Sequence, residues 1–443
     1  MLVLLRFIIV MMYLKYFLIT YWFFNFTLVY AQDDYVNDNQ MRYEDWVYNS
    51  TIKTAILHES SWDNAPAILP LNSNKKLELS FDDLDADKKS YSISFVHCTA
   101  NWQPSDLMTS EYMVGFFEAN ILNFTYSTVT LQNYTHYSIL FPQTNMQFSK
   151  SGNYIVYVYL DNDKEKLVIT KRFMIYEDKI TVAANIRQAI GNDEQYEKQH
   201  INFSLLNGAY ELTNPFVDLK VIITQNNRWD NAINTIKPTF VEPRQLTYSM
   251  DDQSTFIGGN EFRYFDCRSL RTYTERIEQI NKDSAYKYNL VLKKDELRSY
   301  KGYTFYNDLN GGYLIKNQDA VGSPDTEADY VWVHFFLPYD NVQSEGNFYV
   351  LGKVTDWRLS KSNRMVYNER KLGYECHLYI KQGYYNYTYV FLKDKEKAAD
   401  ESLTEGSHWE TENDYTIYVY HRQRGTYYDQ LVSIRRLNSI RKN

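Results

Sequence analysis

The sequence predicts an all-β protein: three tandem immunoglobulin-like or early-set β-sandwich domains following a signal peptide. Three observations carry that prediction. The 443-residue chain holds 42 tyrosines against 16 glycines and 9 prolines, and Tyr joins strand propensity to an amphipathic ring suited to half-buried pleated surfaces. Short segments alternate apolar and polar residues with period two and are separated by turn-rich stretches. No amphipathic helical pattern of useful length occurs, and only Ser110 to Asn120 is ambiguous.

The chain opens with Arg6 and Lys15 in a long apolar run, followed by Val29 and Ala31 at positions −3 and −1 before Gln32. This predicts a signal peptide over 1–31 with cleavage between Ala31 and Gln32. Translation from Met11 or Met12 is an alternative start. The competing reading is an uncleaved anchor, because the apolar stretch approaches bilayer-spanning length. The small residue followed at once by a polar, acidic segment favours cleavage, which leaves no direct membrane span. The net charge of −8 becomes −10 once two cations and no acids are removed with the leader. That balance excludes a nucleic-acid binder, which needs a basic stripe to displace counterions. Three widely spaced cysteines, Cys98, Cys267 and Cys376, are an odd set for a disulfide framework and read as small buried hydrophobes.

The first sandwich is expected over 42–178. Leu77, Leu79 and Phe81 share one strand face, and Tyr91, Ile93 and Phe95 share another. Between them "DDLDADKKS" reads as the turn of a hairpin. Tyr154, Val156 and Val158 lie opposite Ile155, Tyr157 and Tyr159 on a further strand. A second sandwich is expected over 179–322, from "ITVAANIRQA" to "GYTFYNDLNGGY". The stretch "VGSPDTEADY", Val321 to Tyr330, has the Gly, Ser, Pro and acid content of a linker. A third sandwich is expected over 328–443.

Candidate chemistry is sparse. Asp83, Asp85 and Asp87 fit the start of a calcium loop, but Lys88 stands where glycine is required and Ser94 where a closing Glu is required. Neighbouring lysines would also repel a divalent cation, so a strand-connecting turn is the better reading. His97 and Cys98 are adjacent on a strand and point to opposite faces, which prevents them from acting as a nucleophile–base pair. A buried Cys and a partly exposed His are expected. Zinc-protease, nucleophile-elbow and phosphate-binding motifs are all missing from the sequence. The expectation is therefore no catalytic, metal or cofactor site, and no enzyme.

Several segments together resemble one family. They are "LSFDDLDAD" and "YSISFVHCTANWQPSDL", with Asp82, Asp83, Asp85, Asp87, His97, Cys98, Trp102 and Pro104, and "NEFRYFDCRSL", with Glu261, Phe262, Arg263, Asp266 and Arg268. "EGSHWETENDYTIYVYHR" and "YDQLVSIRRLNS" complete the set, which covers nearly all of the mature chain. The sequence resembles the plug protein of the Bacteroidota type IX secretion system. That resemblance implies a non-enzymatic periplasmic subunit held at the outer membrane by a protein partner. The implied partner is the translocon barrel, whose periplasmic opening the subunit would close while no substrate is in transit. Separately, "GNFYVLGKVTDWRLSKSNRMVY" with "GYECHLYIKQGYYNYTYVF" is similar to the early-set sandwich of glycogen-binding modules. Trp357 falls on the first sugar-stacking position of that family, and the second has no matching Trp. The alternative function is thus an exported glycan-binding protein.

Overall fold

A computed structural model describes residues 40–191, 194–249 and 253–440. The leader and the expected cleavage at Ala31 and Gln32 lie outside the described residues. Strands dominate, and the helices are single turns. Ser110 to Asn120 resolves into one such turn, Thr109–Tyr112, followed by the short strands Met113–Gly115 and Glu118–Asn120.

In the first sandwich, Ile52–Glu59, Leu77–Asp83, Thr135–Phe141 and Asn123–Tyr126 form one antiparallel sheet. The facing sheet runs Trp46–Val47, Asp163–Tyr176, Gly152–Leu160, Tyr91–Cys98 and Glu118–Asn120, and Ile68–Pro70 joins it in parallel. Leu77, Leu79 and Phe81 meet Tyr91, Ile93 and Phe95 in the core between them. The expected hairpin at "DDLDADKKS" is not formed. Leu77–Asp83 pairs with Thr135–Phe141, whereas Tyr91–Cys98 pairs with Gly152–Leu160 in the opposite sheet. The acidic loop is an arch across the sandwich, because both flanking strands turn their apolar faces toward one shared core.

The next sandwich is built from two stretches distant in sequence. One sheet holds Thr181–Gln188, Lys198–Leu206, Gln245–Tyr248 and Phe240–Glu242. The other runs Ile233–Ile236, Leu219–Gln225, Asp414–His421 and Gln430–Asn438. The remaining sandwich is inserted between them. Ile277–Lys282, Tyr288–Leu292, Tyr330–Pro338, Gly373–Lys381 and Val366–Asn368 face a sheet built on Gly383–Lys393 with Arg263–Asp266, Tyr313–Ile315 and Gly346–Leu351. Strand pairing therefore does not follow the linear partition at 179–322 and 328–443. The stretch read as a linker, Val321 to Tyr330, carries the turn Pro324–Glu327 and joins two sheets of the same sandwich. Its composition marks an exposed turn, which internal loops and linkers share.

The tyrosines are mostly core. Tyr385, Tyr387 and Tyr389 alternate along Gly383–Lys393 into the inserted sandwich's interior, and the hydroxyls of Tyr387 and Tyr389 both donate to Asp295 at 2.7 Å. Each ring thus adds apolar area while its polar tip is satisfied.

Membership of the C-terminal strands can be tested directly. Ile417, fully buried opposite Ile223, is predicted to cost about 2–5 kcal/mol when changed to Ala, as for other large-to-small core substitutions. Urea titration reads the loss. Limited proteolysis of Ile417→Ala should cut 181–257 before it cuts 263–393, and the reverse order would refute the discontinuous sandwich.

Candidate functional site

Asp82, Cys98 and Trp102, among the residues singled out in the sequence, lie at junctions between sandwiches. Asp82 lies next to last on Leu77–Asp83, on the face away from that strand's apolar residues, yet it is fully buried because the inserted sandwich covers it. His136, directly across the sheet, places Nδ1 2.7 Å from Asp82 Oδ1. Tyr330 and Lys381 are a cross-strand pair of the inserted sandwich. The Tyr330 hydroxyl donates to Asp82 Oδ2 at 2.7 Å, and Lys381 Nζ donates to the same oxygen at 2.6 Å. Burial alone would raise the Asp82 carboxyl, but Lys381 and His136 hold it below the ordinary carboxylate range. Lys381 also donates to the Asp325 carbonyl at 2.7 Å and lies 4.3 Å from the Tyr134 ring centroid. Nearby, Asp329 accepts from the backbone N–H groups of Leu131 and Gln132 at 2.6 and 3.0 Å.

The other three aspartates hold a lysine rather than a metal. Lys89 Nζ is 2.8 Å from Asp83 and 3.5 Å from Asp87, and it also pairs with Asp85. Burial opposes its charge, but the bonds to Asp83 and Asp85 outweigh this and raise its pKa. Tyr91 adds a hydrogen bond to Asp83 at 2.8 Å. Among the described residues, no group of three or more His, Cys, Asp or Glu side chains is placed to hold a metal ion.

His97 and Cys98 do take opposite faces, but both are buried, which corrects the expectation of a partly exposed His. Tyr112, Tyr154 and Tyr428 surround the imidazole; Tyr428 comes from the far end of the chain, hence the cover that local sequence does not announce. Nδ1 lies 2.9 Å from Ser105 Oγ and Nε2 3.2 Å from the Ser151 carbonyl. Burial pushes His97 down to about 4, with the Ser151 carbonyl and Asp429 opposing. Cys98 joins a second apolar cluster with Ile155, Tyr157, Tyr159, Tyr418, Tyr420 and Leu431. The sheet of the first sandwich is thereby covered on both faces. Burial pushes the thiols of Cys98, Cys267 and Cys376 up to about 12, so all three are inert hydrophobes.

Trp102 anchors this junction. It has a left-handed backbone, φ 59°, and packs edge-on against Trp229 at 5.1 Å while the Arg172 guanidinium lies 4.6 Å from its ring centroid. Pro104 closes the loop by bridging back to Cys98. Polar contacts fix the register: Tyr420 OH donates to Asn153 Oδ1 at 2.8 Å, and Ala100 N donates to Asp429 Oδ2 at 2.9 Å.

Glu261 to Arg268 mark where the chain leaves one sandwich for the inserted one. Arg263 is buried and donates to Glu405 at 2.9 Å and Asp295 at 3.0 Å. Arg298 donates to Glu405 at 2.7 Å. Burial raises Glu405, but Arg263 and Arg298 prevail and hold it at about 2. Glu261 accepts from Glu412 N at 3.1 Å, and Thr411 Oγ1 donates to the Gly259 carbonyl at 2.9 Å. The outgoing and returning segments are therefore stitched together. Gly258 permits this approach, since a Cβ there would lie 2.1 Å from the His408 carbonyl oxygen. Phe262 N donates to Asp308 at 2.6 Å, and Asp266 pairs with Arg268 at 2.5 Å.

A cleft of about 900 Å³ lies where the three sandwiches meet. Trp357 lines it at φ 57°, with Phe262 edge-on at 5.8 Å and Arg228 4.8 Å from its ring centroid. Beside it, Lys171 of the first sandwich pairs with Asp356 of the inserted one at 2.7 Å.

The junction residues fall within a matched family. The profile described as type 9 secretion system plug protein 1st domain matches residues 52–177, which include every residue from Asp82 to Pro104 discussed above. A crystal structure of a hypothetical protein from Parabacteroides merdae is similar across 90% of this chain and 100% of its own, at 30% identity and a TM-score of 0.86. The chain belongs to the type IX secretion system plug protein family. A putative membrane anchored protein from Corynebacterium diphtheriae aligns over 85% of this chain and 89% of its own at 8% identity, with a TM-score of 0.12 that carries no argument. No curated protein matches the chain. Membership gives this plug-family chain a role in type IX secretion, as a structural component associated with the cell envelope.

Sequence reasoning did not single out Lys381, Tyr330, His136, Asp295, Glu405 or Asp429. Glu405 and Asp429 lie inside the quoted family segments, and Asp429 stands directly before the strand Gln430–Asn438. For Asp429, an acid at that strand edge was the available signal.

Two predictions follow from these contacts. Asp82→Ala and Lys381→Met each strand a buried charge and should cost about 3–5 kcal/mol. In urea titrations the double variant should lose less than the sum, since the two side chains contact each other. Additive losses would argue against a direct pair. His97 is neutral in the fold but protonated below about pH 6.5 in the unfolded chain, so the unfolded state binds more protons between pH 6.5 and 4. Stability should fall as pH falls through that window, by about 3 kcal/mol for this residue. The stability difference between wild type and His97→Gln, measured at pH 7 and pH 4.5, should shrink correspondingly. A constant difference would contradict the burial argument.

Proposed function

We propose that the chain is a non-enzymatic periplasmic subunit that closes the periplasmic opening of the type IX outer-membrane translocon barrel while no substrate is in transit. Family membership supports the system, and one structural observation supports the role. Buried polar pairs at Asp82–Lys381, Lys171–Asp356 and Ala100–Asp429 cross between sandwiches and join them into one body. A body that covers a wide opening must resist flexing, and tethered independent domains would not. The partner is the barrel protein, and the work needs no cofactor. Removal of the leader at Ala31 frees the chain into the periplasm. Among the described residues no helix is long and apolar enough to cross a membrane.

The glycan-binding alternative relies on an available face of Trp357. Arg228 lies over that ring, and Gly311 approaches its edge closely enough that an added Cβ would lie 2.2 Å from it. No observation favours a sugar there.

A strain lacking the protein should become permeable to bulky antibiotics while still secreting type IX cargo. A tagged copy should retain the barrel protein in detergent extracts of the outer membrane. An impermeable deletion strain, or a pull-down without the barrel, would sink the proposal.

A further inference from the structure

We infer that His334 and His377 form a surface chelate for a late first-row divalent metal ion, Cu²⁺ foremost, on the outer sheet of the inserted sandwich. They stand directly opposite one another on Tyr330–Pro338 and Gly373–Lys381. Their Nδ1 atoms are 2.7 Å apart and their ring centroids 4.6 Å. His377 is exposed and His334 half-buried, so an ion can reach both from solvent.

The hydrogen bonds fix the tautomers. Asn289 Nδ2 donates to the Lys287 carbonyl at 3.2 Å, which turns its amide oxygen toward His334. That oxygen only accepts, so His334 Nε2, 2.8 Å away, carries the proton and its Nδ1 offers a lone pair. His377 Nδ1–H donates to that lone pair when no ion is present. Moving the His377 proton from Nδ1 to Nε2 releases no net proton, and a turn of the exposed His377 ring then aims both Nδ1 lone pairs at one ion. Two nitrogens at right angles, each about 2.0 Å from one ion, lie about 2.8 Å apart. The observed spacing is therefore close to that of adjacent positions in a tetragonal sphere, with water in the others. Tetragonal nitrogen and oxygen coordination favours Cu²⁺ or Ni²⁺, and Cu²⁺ binds most tightly in the divalent series. Asn289 supplies the orienting bond that metal-bound histidines commonly make through their second nitrogen.

The test is titration of the full chain with Cu²⁺ at pH 7.4, followed by calorimetry and electron paramagnetic resonance. Wild type should take up one more equivalent than the double variant His334→Gln/His377→Gln, with coupling to two imidazole nitrogens. His377→Gln should lose one nitrogen and bind at least about ten-fold more weakly, a change of 1.4 kcal/mol or more. Asn289→Ala should keep both nitrogens and weaken binding by about ten-fold or more, as loss of an orienting partner does. Circular dichroism should show all variants folded, since His377 is exposed and His334 and Asn289 are only half-buried. Equal copper uptake by wild type and the double variant, or a wild-type signal with fewer than two imidazole nitrogens, overturns the inference.

Discussion

One sandwich in this chain is completed by strands that lie beyond another in sequence. Leu219–Gln225 waits for Asp414–His421, and the whole inserted sandwich lies between them in sequence. The inserted unit is consequently tied at both ends, at 258–263 and 405–414. The two tie segments are bonded to one another through Gly259, Glu261, Thr411 and Glu412. A single linker would leave a free rotation. Two bonded crossings remove it, and the remaining junctions then form at fixed positions.

Those junctions are unusually polar. Asp82 with Lys381 is almost completely enclosed between two sandwiches, and Arg263 with Glu405 and Asp295 is as deeply enclosed inside the inserted one. Desolvating such groups opposes their attraction, so an apolar pair of the same shape could be as stable. Their geometry gives orientation instead. Each carboxylate accepts from two or more donors on different elements, and a shifted domain would leave Asp82 and Lys381 buried and unpaired. The apolar cluster around Tyr418, Tyr420 and Tyr157 supplies area, and Tyr420 OH on Asn153 fixes its register. Asp82, Cys98 and Trp102 are therefore joints, which explains why motif reasoning found no reaction for them.

Period-two alternation made much of the fold legible. Leu77, Leu79 and Phe81 point to the core as read, and the all-β class follows from many such segments. The strand "GNYIVYVYL" is apolar on both faces and is buried on both, a clue to cover by a second domain. Topology was less legible because strand pairing is nonlocal. "YTIYVYHR" reads equally well as the end of the third sandwich or as the completion of the second. Composition misled at Val321 to Tyr330 for the same reason, since a turn between facing sheets needs the same residues as a linker. At the junctions the limit is separation. Asp82 and Lys381 are 299 residues apart, and neither carries a local mark of the other. His97 looked half-exposed because Tyr428, which covers it, arrives near the end of the chain.

The same nonlocality shapes how the molecule must come together. The first sandwich builds its core from 52–175 alone, whereas the cover of Asp82, Cys98 and Trp102 comes from residues between 222 and 431. A carboxylate waiting at the surface is solvated and harmless; the same carboxylate covered by the wrong surface would lose water without gaining Lys381. Polar joints thus penalise incorrect docking more than they reward correct docking. The two tie segments fix the inserted sandwich beside the strands at 414–438. A body joined in this way holds its arrangement at several buried places at once. Movement as one piece, rather than bending between its sandwiches, is the mechanical consequence.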